Sequence, residues 1–406
     1  MRDDEPVTSS DLENAAQSGA GPGARAGSPP AAGELPGEGA DLTAASAGHP
    51  PAPPVTRRTV TLGVSLLVTA ALAAVALVLP VPYAVRAPGP TQDTLGEQDG
   101  RPLIEIEDAR TYESSGQLRL TTVSVSGGPG YPVTAGQAVQ AWADPTRSVV
   151  PVESVFPEET SAKEQKQLSQ AEMLTSQESA TAAALTELGR EVPAVLKVAG
   201  AEPGTGADGV VREGDVVVSF EGERVPTYAA LIERLAATTP GDDVVLGVER
   251  DGEPKDLTVT TGRAEGEDRA VMGVYIDPEY DFPVEVKIQI EDIGGPSAGT
   301  MFALGVIDKL TREDEANGAR IAGTGTMSPE GVVGPIGGIE QKMHGALRDG
   351  ATWFLAPEGN CPEVAGNVPA GLRVVSVATL HDAREAMTAI GAGTGDELPT
   401  CSQQAS

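Results

Sequence analysis

Residues 60–79 (VTLGVSLLVTAALAAVALVL) form a run of twenty without a single charge. Backbone N–H and C=O groups have no water to bond in hydrocarbon, so a run like this is confined to a helix. At about 1.5 Å per residue, twenty residues match the ~30 Å apolar layer of a bilayer. Arg57 and Arg58 stand just before the run, and Pro80 and Pro82 stop the helix just after it. The reading is an uncleaved transmembrane helix over 59–80. The positive-inside rule then puts 1–58 in the cytoplasm and everything from 81 onward outside it. A cleaved signal peptide is the competing reading, since alanines lie near the end of the run. Its apolar stretch exceeds the usual ~7–15 residue core, and nearly sixty residues precede it.

Residues 1–55 hold nine Pro, eight Gly and almost no large apolar side chain. They cannot bury enough surface to offset chain entropy, so disorder is expected there. The chain carries a formal charge of −31. That excludes the basic footprint of a nucleic-acid binder and fits a solvated, self-repelling surface. Cys361 and Cys401 are the two cysteines, both on the side where disulfides persist. Free thiols are the alternative to a bridge between the tail 393–406 and the domain before it. No Cys/His spacing points to zinc, and no metal or cofactor is expected.

Beyond the apolar run the chain reads as an α+β multidomain protein. Residues 81–189 combine short extended stretches, among them the Thr/Val-rich run at 117–125, with a helical pattern over 161–188. Residues 190–263 change rhythm: a strand near 192–198, a Gly-rich loop, GDVVVSF, a helix over 228–236, and two alternating runs flanking Asp251-Gly252. Asp-Gly between alternating runs signals a hairpin. This order resembles a PDZ domain. The resemblance implies capture of extended peptides by strand addition. The nearest stretch to that family's carboxylate-binding loop is Leu188-Gly189-Arg190-Glu191, and a spacer that only restricts access is the other reading. Residues 270–392 follow an α/β pattern with Gly-rich turns.

Two motifs in that last region carry chemistry. Gly294-Gly295-Pro296-Ser297-Ala298-Gly299 joins a strand to a helix, so Ser297 falls at a helix start, where free N–H groups and the helix dipole suit a developing oxyanion. A Gly-rich turn with a capping serine has the same appearance. In the second motif, Pro335-Ile336-Gly337-Gly338-Ile339-Glu340-Gln341-Lys342, a lysine follows a glycine loop on a helix. Such a lysine normally faces solvent. Buried, its amine can lose its proton near neutral pH and act as a base toward serine.

Together the two motifs, with Thr324-Gly325 between them, resemble the proteolytic domain of Lon peptidases. The resemblance implies a Ser-Lys dyad: Ser297 as nucleophile, Lys342 as general base, and Thr324 as the hydroxyl that orients the lysine. It also implies ring-like homo-oligomers. The order of anchor, PDZ and Lon-like domain is similar to a membrane-bound branch of that family. There are departures. Lon carries an acidic residue where Gly294 stands. The sequence also lacks a GxxxxGK[ST] phosphate loop, so ATP-independent proteolysis of unfolded or extended protein substrates is expected.

Two other classes compete. Gly295-Pro296-Ser297-Ala298-Gly299 also fits the hydrolase elbow, with Asp349 and His381 in the right order for a triad. A PDZ/Lon-like scaffold or adaptor without catalysis is the alternative outside enzymes.

Overall fold

The computed structural model describes residues 56–98, 100–128, 131–156, 161–264, 269–290 and 293–401. The tail expected to be disordered, residues 1–55, lies outside the described residues. The apolar run forms the helix Arg57–Val78, with no buried residue along it. It is the one helix among the described residues that is long and apolar enough to cross a membrane.

A six-stranded sheet builds the body that follows. From one edge its strands are Arg373–Val377, Trp353–Pro357, Arg320–Gly323, Gln117–Ser126, Tyr83–Asp93 and Ser148–Pro151. The first four run parallel, and the last two pairings are antiparallel. Parallel strands need both faces covered, and side chains alternate between those faces. Ile321, Leu355 and Val375 join the core with the helices Ala162–Glu187, Gly299–Leu310 and Leu380–Gly391. Ala322, Phe354 and Val374 pack instead with Ile339, Met343 and Ala346 of the helix Ile339–Arg348.

This sheet redraws the expected domains. The segments 81–189 and 270–392 do not build separate sheets: Gln117–Leu120 pairs directly with Arg320–Gly323. An unpaired strand edge buried in a core would leave its N–H and C=O groups orphaned, so distant strands are recruited to it. The PDZ-like unit is inserted between the halves. Its antiparallel sheet orders Glu253–Thr260, Asp243–Arg250, Val216–Phe220, Ala194–Ala201 and Val274–Tyr280. The last strand lies beyond the expected boundary at 263. Leu196, Val217, Phe220, Leu231 and Leu246 form its own core. The buried Asp215 carboxylate accepts two 2.7 Å bonds from Arg250, which holds its pKa below the usual carboxylate range. Leu188 packs with the core around the six-stranded sheet, and Gly189–Glu191 lie between the helix Ala162–Glu187 and the PDZ-like sheet.

Cys361 and Cys401 are joined as a disulfide across 40 residues. The bridge ties the tail to the core under the helix Ile339–Arg348.

Candidate active site

Three separate elements converge on one point. Ser297 lies two residues before the helix Gly299–Leu310. Thr324 follows the strand Arg320–Gly323, and Lys342 sits in the first turn of Ile339–Arg348. Lys342 Nζ is 2.8 Å from Ser297 Oγ and 2.8 Å from Thr324 Oγ1. Thr324 Oγ1 donates to Ser297 O at 2.9 Å. The threonine proton is thereby committed, so its oxygen can only accept from the lysine. This uses one Nζ–H and turns the remaining face of the amine toward Ser297.

Lys342 is 3% exposed. Burial alone lowers its pKa from 10.5 to about 7, because the charged form loses its hydration and gains no carboxylate. Such an amine is available as a base near neutral pH, where an ordinary lysine is protonated.

The loops around these groups are shaped by glycine at two positions. Gly325, at φ +149°, turns the chain back toward the serine, and its N–H donates to Ser297 O at 2.9 Å. A Cβ there would meet Thr300 Oγ1 at 2.5 Å. Gly338, at φ +73°, starts the lysine helix in the left-handed region. The N–H groups of Ser297 and Ala298 have no acceptor among the described residues. They stand at a helix start, suited to hold an oxyanion.

Some contributors have no sequence signal. The helix Ala162–Glu187 grips the serine turn: Gly295 N–H donates to Ser169 O at 2.9 Å, and Ser176 Oγ donates to Pro296 O at 2.9 Å. A Cβ on Gly294 would sit 2.3 Å from Ser169 Oγ and 3.0 Å from its Cβ, so a side chain there would push the serine away. Asn360 clamps the loop before Lys342, accepting from Ile336 N–H at 2.9 Å and donating to Ile336 O at 2.8 Å.

A cleft of about 500 Å³ opens at Ser297 and Lys342. Met173, Val125 and Ile293 carry it into a chamber of about 1070 Å³. Along the cleft runs an open strand edge. Gln117–Ser126 is paired with Arg320–Gly323 only as far as Leu120. Gln117 N–H points to that side, toward Ala319 O. By alternation, Val123 and Val125 present backbone groups to the cleft.

The hydrolase triad does not assemble. His381 bonds to Glu187 at 3.0 Å on the surface, and Asp349 is held by Arg348 and Thr91.

Residues 161–261 match the PDZ domain family, and residues 289–388 match the Lon protease (S16) C-terminal proteolytic domain. The Lon protease of Azospirillum brasilense is 36% identical over 95 residues, covering 22% of this chain and 11% of the relative. That of Vibrio parahaemolyticus serotype O3:K6 is 37% identical over 126 residues, covering 30% of this chain and 15% of the relative. The chain therefore spans only about a seventh or less of the length of these relatives. Among solved structures, the PDZ domain of an SdrC-like protein from Listeria monocytogenes aligns at 13% identity and a TM-score of 0.20, over 20% of this chain and 86% of that one. This chain carries a PDZ domain inserted ahead of a proteolytic domain of the Lon type.

Proposed function

We propose that the chain is a membrane-anchored serine endopeptidase that works without ATP through Ser297 and Lys342. The observation that carries this reading is a buried lysine amine without a carboxylate partner, 2.8 Å from a serine hydroxyl. A buried charge without a counter-ion is costly, so the position favours a neutral amine.

The chemistry is acyl transfer. Neutral Lys342 takes the Ser297 proton as Oγ bonds to a peptide carbonyl carbon. The resulting oxyanion lies against the N–H groups of Ser297 and Ala298. Lys342 then gives its proton to the leaving amine, the C–N bond breaks, and an acyl-enzyme remains. Water, deprotonated by Lys342, releases the second product. Thr324 orients the amine throughout. The substrate lies extended, adding a strand to the Val123–Val125 edge. Folded proteins cannot offer such a strand, and residues 1–406 hold no phosphate-loop motif for powered unfolding. Unfolded or extended polypeptides are therefore the substrate class.

The helix Arg57–Val78 is the anchor, with Arg57 and Arg58 on the cytoplasmic side and the proteolytic body outside. The disulfide supports an oxidising compartment.

The test is incubation of the purified full chain in detergent with an unfolded protein, without ATP, beside Ser297→Ala. Cleavage by the natural chain alone is expected. Inertness of both across protein concentration and pH would instead favour a scaffold.

A further inference from the structure

The anchor reading leaves one surface without an aqueous explanation. No charged residue occurs between Arg119 and Asp144, in a chain that is 21% charged. Inside this stretch lies the helix Ala135–Trp142, capped by Thr134. Its Ala138 and Ala141 pack on Val85, Val133 and Val149. Ala135, Val139 and Trp142 fall at i, i+4 and i+7, so they share one stripe. On that stripe Val139 is 59% exposed and Trp142 is 86% exposed.

The stripe begins where the apolar helix ends. Ala135 N–H donates to Leu79 O at 2.9 Å, and Val81 N–H donates to Val133 O at 2.9 Å. Pro80 and Thr134 form a β-bridge. A Cβ on Gly136 would lie 3.0 Å from Leu77 O. The short helix is thus fixed by backbone bonds to the last residues of the anchor, at the level where hydrocarbon gives way to water. Tyr131, 80% exposed, and Tyr83, also exposed, flank the same junction. Tryptophan and tyrosine favour that level because one end of each ring is apolar and the other is polar.

Resting on the anchor reading, we infer that the helix Ala135–Trp142 lies in the outer interface of the bilayer. Trp142 and Val139 enter the headgroup–acyl boundary. The occupant of this face is lipid, not a protein partner, because the face is continuous with a helix that lipid already surrounds. The absence of charge fits, since the rest of so acidic a chain is repelled by anionic headgroups. The contact sets the height of the body: strand Tyr83–Asp93 and the cleft strand beside it rise from this junction, so the active-site chamber, lined in part by Tyr131, opens close to the membrane surface.

Trp142 and Trp353 are the two tryptophans, which makes the inference measurable. The full chain, as Trp353→Phe, is reconstituted in neutral phosphatidylcholine vesicles with bromine placed either high on the acyl chains or near their ends. Blue-shifted emission with a roughly two-fold loss to the high bromines, and less to the deep ones, is expected for a ring at the interface. Trp142→Phe in the otherwise natural chain should remove the quenchable emission and leave that of Trp353. Carbonate extraction is run in parallel. Emission quenched by aqueous iodide but untouched by lipid bromine, in chain that stays with the vesicles, overturns the inference and leaves the anchor standing. Chain released by carbonate overturns the anchor and the inference with it.

Discussion

The PDZ unit and the proteolytic body solve the same problem, a buried sheet, in opposite ways. The PDZ sheet uses near neighbours: Asp243–Arg250 and Glu253–Thr260 pair across the two-residue Asp251-Gly252 turn. The proteolytic sheet joins Gln117 to Arg320, about 200 residues apart in sequence. Their charged groups differ in the same sense. Asp215 in the PDZ core meets Arg250 and stays ionised, whereas Lys342 in the body meets only hydroxyls and its pKa falls to about 7. One region neutralises its buried charge by pairing. The other leaves it unpaired, and burial lowers its pKa.

The largest effect expected is on that unpaired group. Lys342→Ala should lower cleavage of an unfolded substrate about a thousand-fold or more, measured as kcat/KM, because the serine is left without a base. The same chain should keep its melting temperature or raise it, since a poorly solvated amine is gone. In the PDZ unit the balance should reverse. Leu246→Ala removes a fully buried side chain and should cost about 2–5 kcal/mol of unfolding free energy by denaturant titration. Cleavage of a short unstructured peptide should hardly change. A large loss there would break the comparison by showing that the PDZ core supports the site.

Thr324→Val is a finer probe. It keeps the volume and removes the acceptor of one Nζ–H, for a loss of about 1–3 kcal/mol, read chiefly in kcat. The smallest effect is the pH profile. Cleavage should rise about ten-fold per pH unit below about 7 and level above it, as Lys342 deprotonates. The sign for stability is the opposite of a salt bridge. The folded pKa lies below the unfolded one, so this group's penalty is absent above 10.5. It grows as pH falls to about 7 and is constant below.

The same contrast explains what the sequence reveals. Contiguous signals were enough for the PDZ hairpin, its helix Tyr228–Ala236, and the long helix Ala162–Glu187. Ser297, Thr324 and Lys342 were legible because each sits in a short motif with unusual residues, and the structure brings all three together. The partner of Gln117–Ser126 was not, because a strand's sequence states its faces but not its neighbour. For that reason the boundary expected at 189 divides what is one sheet. Ser169, Ser176, Met173 and Asn360 escaped notice too. A helix serine or a loop asparagine is an ordinary residue until its distant acceptor is known.

The insertion also governs how the chain is made. Strand Gln117–Ser126 leaves the ribosome about 200 residues before Arg320–Gly323. At roughly 5–20 residues per second, that is a delay on the order of 10–40 s. During it the edge that later borders the cleft is an unpaired template for any passing strand. The PDZ unit, with near-neighbour pairing in five of the six strands of its sheet, has few such long-range pairings to wait for. Its last strand, Val274–Tyr280, pairs back onto Ala194–Ala201, so the chain leaves the inserted sheet beside the strand by which it entered, before Arg320–Gly323 is made.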